Sequence, residues 1–336
     1  MKINYFTKIA IMRKTKAIAI LTTHSFGYID FLVDKLNLNE DVDLTYINID
    51  AIPFSYKNKG SRIANFFLKL FLFPGLKEKN RTEFIKKALQ KKPLFDQILV
   101  IRPDKLQKEA LVFLKKNTVK MDCFLFDGIE NFKDQKKILS YFDTIFSYDK
   151  RDVEKYNFRF LTNYIFDDEI AQNQITNTAF NISSFDNRFP FLEKLANYLS
   201  ETQISFRFIV KKNKCCNHDT IEICTKYLPI NEVKEIISSS LVMIDLQKEN
   251  QYGLSFRVFE ALGYKKKLIT NNQDITSYDF YNENNIFVIT NENYQIPLDF
   301  FETDFVEIDP KIVDKYKLKN WIFEVFNIEC NQIKDL

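Results

Sequence analysis

The chain lacks a surplus of either charge and any apolar run long enough to cross a bilayer. Its 336 residues include 48 Lys and Arg against 45 Asp and Glu, a formal net charge of +3. A balance this close to zero gives no general attraction to polyanions, and no stripe of basic and aromatic residues is present, so we predict no nucleic-acid partner. Residues 1–16 carry charges through their apolar part with no small-residue cleavage site behind them, unlike a signal peptide, and Met12 is a plausible alternative start just before the first predicted strand. We expect them to be an extension outside the fold.

Histidines are scarce as well, and the cysteines do not occur in closely spaced pairs of the CxxC kind. The five cysteines show no CxxC spacing and their number is odd, which indicates reduced thiols in a cytoplasmic protein. Two isolated histidines and scattered cysteines supply no set of metal ligands. The acidic "DVD" at 41–43 precedes a predicted strand instead of ending one, so we interpret it as a solvated loop. We therefore predict no metal site and no bound cofactor.

What the sequence has in quantity is an alternation of short apolar runs and amphipathic stretches. "AIAILTT" (17–23) has the length and β-branched content of a buried strand, and "YIDFLVDKLNLN" (28–39) has helical spacing. The same alternation continues to residue 166. Strands separated by helices form parallel βαβ units, so we predict a doubly wound first domain over 17–166.

A change of composition follows this domain. Residues 167–187 are rich in Asn, Ser and Thr with little periodicity, so we interpret them as a linker. The alternation resumes over 188–310, and residues 311–336 are predicted to form a terminal helix and tail. The fold class is therefore α/β, with two Rossmann-like domains facing a cleft. Ligands of such sheets bind in the cleft, at the carboxyl ends of the strands.

The stretch "QYGLSFRVFEALGY" (251–264) contains the best candidate site. On a helix beginning near Leu254, one stripe carries Gly253, Arg257, Glu260 and Tyr264. A glycine at a helix start permits close approach of a ligand, free N–H groups there attract anions, and a carboxylate further along accepts bonds from sugar hydroxyls. These features suit a nucleotide diphosphate. The alternative is a weak surface pair of Arg257 with Glu260 behind a turn glycine.

The same stretch resembles a known family. "GLSFRVFEAL" followed by "KKLIT" is similar to the donor-binding region of GT-B glycosyltransferases. With "YDFYNENNIFVI" (278–289) and "FDTIFSYDKRDVEKYNFRFL" (142–161), it resembles the bacterial lipopolysaccharide and capsule glycosyltransferases of the CgeB-like kind. The resemblance implies GT-B architecture, a nucleotide-sugar donor in the second domain and an acceptor on the first.

Carried over to this chain, the resemblance implies a role for each residue of the stretch. Glu260 would bind the ribose, Gly253, Leu254 and Ser255 would lie beside the diphosphate, and Arg257 would help to neutralise it. Many retaining members carry a second Glu eight residues before the ribose Glu, where this chain has Tyr252. The stereochemical outcome is therefore left open.

Candidate catalytic residues follow strands of the first domain. His24, in "TTHSFGY", and Asp127, in "FLFDGIEN", each come after a predicted strand. Either side chain could take the proton of an acceptor hydroxyl. The alternatives are a packing histidine beside Gly27 and a turn aspartate before Gly128. Arg102 and Asp104 occupy the equivalent end of another strand and are candidates for acceptor contact.

Other candidates complete the predicted site. Arg188 and either Lys211 or Lys212 could meet diphosphate oxygens, and Tyr227 is placed to stack on a nucleobase. The expected acceptor is a cell-surface glycan, free or lipid-linked. A peripheral contact with the inner face of the membrane is left open by "FFLKLFLFPG" (66–75), although a short run of this kind favours a buried helix. Two other functions remain open, a nucleotide-sugar epimerase of the same fold and a non-catalytic two-lobed sugar-binding or coat protein.

Overall fold

The fold is described from a computed structural model that covers residues 15–23, 27–70, 75–92, 94–169, 171, 173–214, 216–248 and 251–330. Within these residues there are two sheets of six strands each, and every strand pairing within them is parallel. Helices cover both faces of each sheet. The predicted α/β class with two Rossmann-like domains is confirmed.

The first sheet has the strand order β2-β1-β3-β4-β5-β6. Its strands are β1 (Lys16–Thr22), β2 (Val42–Asn48), β3 (Phe95–Ile101), β4 (Thr118–Leu125), β5 (Thr144–Ser147) and β6 (Arg159–Phe160). The helices between them are α1 (Tyr28–Asn37), α2 (Lys59–Leu70), α3 (Leu76–Leu89), α4 (Lys108–Lys116) and α5 (Lys150–Tyr156). Between β4 and β5 the chain forms a 3₁₀ helix, Lys133–Tyr141.

The second sheet has the order β12-β11-β10-β7-β8-β9. Its strands are β7 (Asn177–Ser184), β8 (Phe206–Lys211), β9 (Glu222–Cys224), β10 (Ser240–Asp245), β11 (Lys267–Thr270) and β12 (Ile286–Val288). The helices are α6 (Phe189–Glu201), α7 (Ile230–Ser238), α8 (Phe256–Gly263) and α9 (Leu298–Glu302), followed by α10 (Pro310–Lys315) and α11 (Leu318–Phe326). The single terminal helix predicted within 311–336 is thus two helices.

Strand β7 corrects the predicted linker. Residues 177–184 lie inside the stretch 167–187 that was interpreted as a linker, yet they form a central strand between β10 and β8. Ala179 and Phe180 are fully buried in the domain core. Asn181 is buried too, and its amide has a partner there, since its Nδ2 donates to the carbonyl of Ile244 at 2.8 Å. Part of the polar composition of the stretch comes from Asn181, Ser183 and Ser184, at the carboxyl end of this strand, which line the cleft.

The chain ends by returning to the first domain. Trp321, Ile322 and Phe326 of α11 are buried in the same core cluster as residues of β1 and β4. The Trp321 ring lies edge-on to Phe124, with centroids 5.3 Å apart. A single parallel bridge between Ile165 and Lys317 marks the crossing. Apolar burial of α11 therefore ties the end of the chain to the first domain.

A buried polar group holds the carboxyl end of α11. Gln97 of β3 is 2% exposed, and its Nε2 donates to Asp122 Oδ2 at 2.6 Å and to the Val325 carbonyl at 2.7 Å. Lys16 Nζ donates to Gln97 Oε1 at 2.9 Å and to the Phe326 carbonyl at 2.5 Å. The last carbonyls of the helix thus find partners on the sheet.

The substitution Gln97→Met should lower the free energy of unfolding by about 1–3 kcal/mol, since it leaves buried acceptors without a donor while keeping side-chain volume. Urea unfolding measures the change. Gln90→Met, on the exposed C-cap of α3, should stay within about 0.5 kcal/mol of the parent. Equal losses for the two variants would contradict the assigned role of Gln97.

Candidate functional site

A cavity of about 370 Å³ lies between the carboxyl ends of the two sheets. Both domains line it, as the predicted cleft requires. From the first domain come Thr23, Tyr28, Arg102, Phe126, Asp127, Tyr148 and Asn163; from the second come Asn181, Ser183, Arg188, Lys211, Tyr227, Asp245, Gln251, Ser255, Phe256, Arg257 and Glu260, among others. Most of the polar side chains lie at strand ends or around the start of α8.

The start of α8 is organised by Ser255. Its Oγ accepts from the Arg257 backbone N–H at 3.1 Å and donates to Asp245 Oδ2 at 2.8 Å. Ser255 is therefore the N-cap of α8, and the helix is eight residues long. Asp245 ends β10 and is 8% exposed, and burial raises the pKa of its carboxyl. The N-terminal end of α8, a favourable place for an anion, opens into the cavity.

Glu260 and Arg257 form a buried ion pair on the side of α8 that faces the cavity. The Glu260 side chain is 2% exposed and the Arg257 side chain 16%. Arg257 Nη1 and Glu260 Oε2 are in contact, but neither atom makes a hydrogen bond within the described residues. Burial raises the pKa of Glu260 to about 7, against the opposing charge of Arg257. The carboxyl therefore keeps unused hydrogen-bonding capacity next to the cavity. The alternative of a weak surface pair between Arg257 and Glu260 does not fit this burial.

Two residues predicted beside a diphosphate do not line the cavity. Leu254 is 1% exposed and packs in the second domain's core. Gly253 packs against Tyr148 of the first domain, where an added Cβ would lie 1.6 Å from Tyr148 Cδ2. The helix begins at Phe256, so Gly253 precedes its N-cap by two positions. Of Gly253, Leu254 and Ser255, which were predicted to lie beside the diphosphate, only Ser255 lines the cavity. Gly253 instead permits the close approach of the two domains.

The second domain brings further cations to the cavity. Arg188 lines it, with Nη1 donating to the Leu246 carbonyl at 2.6 Å and Nε and Nη2 donating to Asp186 at 2.8 and 2.7 Å. Lys211 lies over the Tyr227 ring, 4.9 Å from its centroid. Tyr227 is 47% exposed at the cavity edge. Arg188 is thus held in a fixed orientation, whereas Tyr227 offers an accessible ring face.

The first domain contributes Asp127 and a strained arginine. Arg102 follows β3 with φ of 64°, a left-handed backbone that a residue with a side chain rarely adopts. Its guanidinium is bidentate to Asp104, with both bonds at 2.9 Å, and lies 3.9 Å from Asp127 Oδ2. Burial raises the pKa of Asp127, although Arg102 opposes the shift. His24 lies outside the described residues, next to Thr23, which does line the cavity.

The structure adds side chains that were not predicted. Asp245 could have been found, because it ends the apolar run "LVMID" of a parallel strand. No pattern in the sequence predicted Asn163 as a residue of the cavity. It is 4% exposed in the segment joining the domains, its Nδ2 donates to the Leu254 carbonyl at 2.9 Å, and its Oδ1 is buried at the cavity with no hydrogen-bond partner within the described residues.

An aromatic cluster joins α8 to the first domain. Phe256 stacks on Tyr28 with ring centroids 4.4 Å apart and lies edge-on to Tyr164 and Phe126 at 5.0 and 5.8 Å. Phe256 comes directly after the Ser255 N-cap, so one turn of α8 carries both the cavity's polar groups and an anchor to the opposite domain.

No group of three or more potential metal-binding side chains occurs among the described residues. Also within that part of the chain, no helix combines the length and apolar character needed to span a bilayer.

Three solved structures share this two-domain arrangement at very low sequence identity. A UDP-GlcNAc 2-epimerase from Neisseria meningitidis bound to UDP-GlcNAc is 8% identical and aligns over 93% of this chain and 100% of its own, with a TM-score of 0.55. A protein named OtsA, in its apo form, is 9% identical over 96% and 100% of the two chains, with a TM-score of 0.53. A further UDP-N-acetylglucosamine 2-epimerase is 10% identical over 93% and 96%, with a TM-score of 0.52.

These likenesses define the class of fold. The chain has the GT-B fold, shared by glycosyltransferases and by the related UDP-GlcNAc 2-epimerases. No protein-family model and no curated protein matches the sequence. At identities of this size the likeness establishes the architecture alone, so the chemistry must be argued from the cavity.

Proposed function

We propose that the protein is a glycosyltransferase that moves a sugar from a nucleotide-sugar donor to a glycan acceptor. The observation that carries the proposal is the polar group at the start of α8, formed by Asp245, Ser255, Arg257 and Glu260, inside a cavity lined by both domains. Glu260 would accept hydrogen bonds from the ribose hydroxyls. The diphosphate would lie at the Ser255 end of the helix, within reach of Arg257 and Arg188. Tyr227 would stack on the base.

The first domain would hold the acceptor and its base. We infer that Asp127 takes the proton from an acceptor hydroxyl, whose oxygen attacks the anomeric carbon while the nucleoside diphosphate leaves. A raised pKa brings this carboxyl closer to the acidity that suits a general base near neutrality. The N-terminus of α8, with Arg257 and Arg188, would stabilise the charge on the leaving diphosphate, so this mechanism uses no metal. His24 remains a prediction for the same role.

We further propose that the acceptor is a cell-surface glycan, such as lipopolysaccharide, capsule or exopolysaccharide, free or lipid-linked. The support is the resemblance of residues 142–161 and 251–289 to CgeB-like glycosyltransferases. Free cysteines at Cys123, Cys216, Cys224 and Cys330 support action in the reducing cytoplasm.

A nucleotide-sugar epimerase is the second candidate. Asp127 and Asp245 both line the cavity, and burial raises the pKa of each. Two such carboxyls suit proton transfer to and from one bound donor. Turnover of the donor sugar without an acceptor would favour the epimerase, whereas turnover that requires a glycan acceptor would favour the transferase.

The first experiment is thermal unfolding with a panel of nucleotides and nucleotide sugars, with and without EDTA. A ligand at a hundredfold its Kd should add about 2.7 kcal/mol to the free energy of unfolding. We expect stabilisation by one nucleoside diphosphate and its sugars, unchanged by EDTA. Loss of the effect with EDTA would contradict the metal-independent site. No stabilisation by any of them would favour the non-catalytic protein.

A further inference from the structure

Helix α2 carries an exposed apolar face. Ile63, Phe66 and Phe67 are 58%, 64% and 50% exposed, and their spacing places them on one side of the helix. The two phenyl rings touch edge to face, with centroids 5.7 Å apart. The sequence had favoured a buried helix over 66–75. The helix instead spans Lys59–Leu70, and residues 71–74 lie outside the described part.

This face joins no buried apolar cluster of the described residues. Of the described side chains of α2, none belongs to any of the four buried apolar clusters. Asn65 of α2 is buried and makes polar contacts instead: its Nδ2 donates to the Tyr56 hydroxyl at 3.0 Å and its Oδ1 accepts from Leu76 N–H at 2.7 Å. Two adjacent phenylalanines left in water are costly, so their exposure points to an external apolar partner.

Basic side chains surround the apolar face. Lys57, Lys59 and Arg62 are exposed before and within α2, and Lys77 and Lys79 are exposed in the first turn of α3, which Asn65 holds beside the helix. The acids of this region are engaged or partly covered. Asp50 pairs with Arg81, Glu83 pairs with Lys86, and Glu78 is half-buried. An apolar centre within a ring of cations therefore faces solvent.

We propose that this face docks the protein on an anionic lipid bilayer, with Ile63, Phe66 and Phe67 inserted at the headgroup boundary and the surrounding Lys and Arg side chains on acidic headgroups. A short apolar anchor alone binds membranes weakly, but combined with several cations it gives stable, reversible attachment. A second copy of the chain is the poorer occupant, because a symmetric contact would bring the two cation rings together. The proposal does not depend on the transferase reaction.

Sedimentation with sucrose-loaded vesicles tests the docking. We expect binding to vesicles of phosphatidylcholine and phosphatidylglycerol mixed two to one, weakening as salt is raised. The double variant Phe66→Ser, Phe67→Ser should bind at least about tenfold more weakly with an unchanged melting temperature, because both rings are already exposed. Lys77→Glu with Lys79→Glu should also weaken binding.

The matched control removes two exposed phenylalanines elsewhere. Phe160→Ser with Phe323→Ser replaces rings that are 41% and 44% exposed, and its vesicle binding should equal that of the parent. The proposal is overturned if the parent stays in the supernatant, if it binds pure phosphatidylcholine equally well, or if the Phe66 and Phe67 variant binds as the parent does. A dimer in sedimentation velocity that this variant abolishes would assign the face to a second copy instead.

Discussion

Replacing Glu260 by alanine is expected to lower nucleotide affinity by at least about a hundredfold, because a carboxylate that accepts two ribose hydroxyls contributes about 1.5–3 kcal/mol per hydrogen bond. Glu260 is 2% exposed, and its Oε2, although in ion-pair contact with Arg257 Nη1, makes no hydrogen bond within the described residues. Isothermal titration with the nucleotide found in the thermal panel measures the change. Unaltered affinity would remove Glu260 from the ribose site.

Glu260→Ala also leaves Arg257 without its ion-pair partner, which by itself destabilises a fold. Glu260→Gln is therefore the companion variant, since it keeps the shape and an acceptor oxygen. The control is Glu222→Gln on β9, an ion-paired glutamate whose oxygen lies 3.1 Å from Arg207 and which does not line the cavity. It should leave nucleotide affinity unchanged.

The pKa of Glu260 makes the same site sensitive to pH. Ribose hydroxyls bind the ionised carboxylate, so nucleotide affinity should rise with pH and level off above a pKa of about 7. In the absence of nucleotide, the stability of the fold has the opposite dependence on pH. A carboxyl whose pKa is raised on folding stabilises the fold at pH below its unfolded value, and that contribution is lost as the pH rises through about 7. Both trends should disappear in Glu260→Gln.

Gly253→Ala should cost about 3 kcal/mol or more in unfolding free energy, because the new methyl group has no space. The added Cβ would lie 1.6 Å from Tyr148 Cδ2 and 2.7 Å from the Tyr148 backbone carbonyl. The Tyr148 ring is 2% exposed and its hydroxyl donates to the Phe126 carbonyl, so moving the ring aside would break that bond and would leave the clash with the backbone carbonyl in place. Urea unfolding at neutral pH measures the loss.

Gly60→Ala on α2 is the matched control. The nearest atom to its added Cβ is a flexible Asn58 oxygen at 3.3 Å, and alanine favours the helix over glycine by up to about 1 kcal/mol. Near-neutral or slightly improved stability is expected. If Gly253→Ala were equally harmless, the two domains would have to meet in another way than the structure describes.

The sequence predicted correctly those features that depend on a single strand or helix. Buried parallel strands such as "AIAILTT" are apolar on both faces, so their alternation with helices predicted both sheets. The stripe on α8 predicted Glu260 and Arg257 at the cavity, because helical spacing is fixed by local geometry. Strand β7 was missed since its carboxyl end carries Asn181 and Ser183, which are polar because they face the cleft.

Features that depend on two elements meeting were not predictable. Gly253 was interpreted through its own helix, whereas its reason lies in Tyr148, more than a hundred residues earlier. Asn163 reaches the cavity only because the chain crosses between domains there. The exposed face of α2 was predicted to be buried from its composition, and only the position of the helix reveals that no part of the described protein covers it.

The position of Phe256 has a consequence for how the protein responds to its ligand. Its ring is fixed among Tyr28, Tyr164 and Phe126, one residue from the Ser255 cap. Opening the cleft must draw that ring out of the opposite domain and disturb the first turn of α8, where the proposed nucleotide would be held. If the proposed donor binds there, its binding and the separation of the two domains are therefore coupled: each changes the free energy of the other by the same amount.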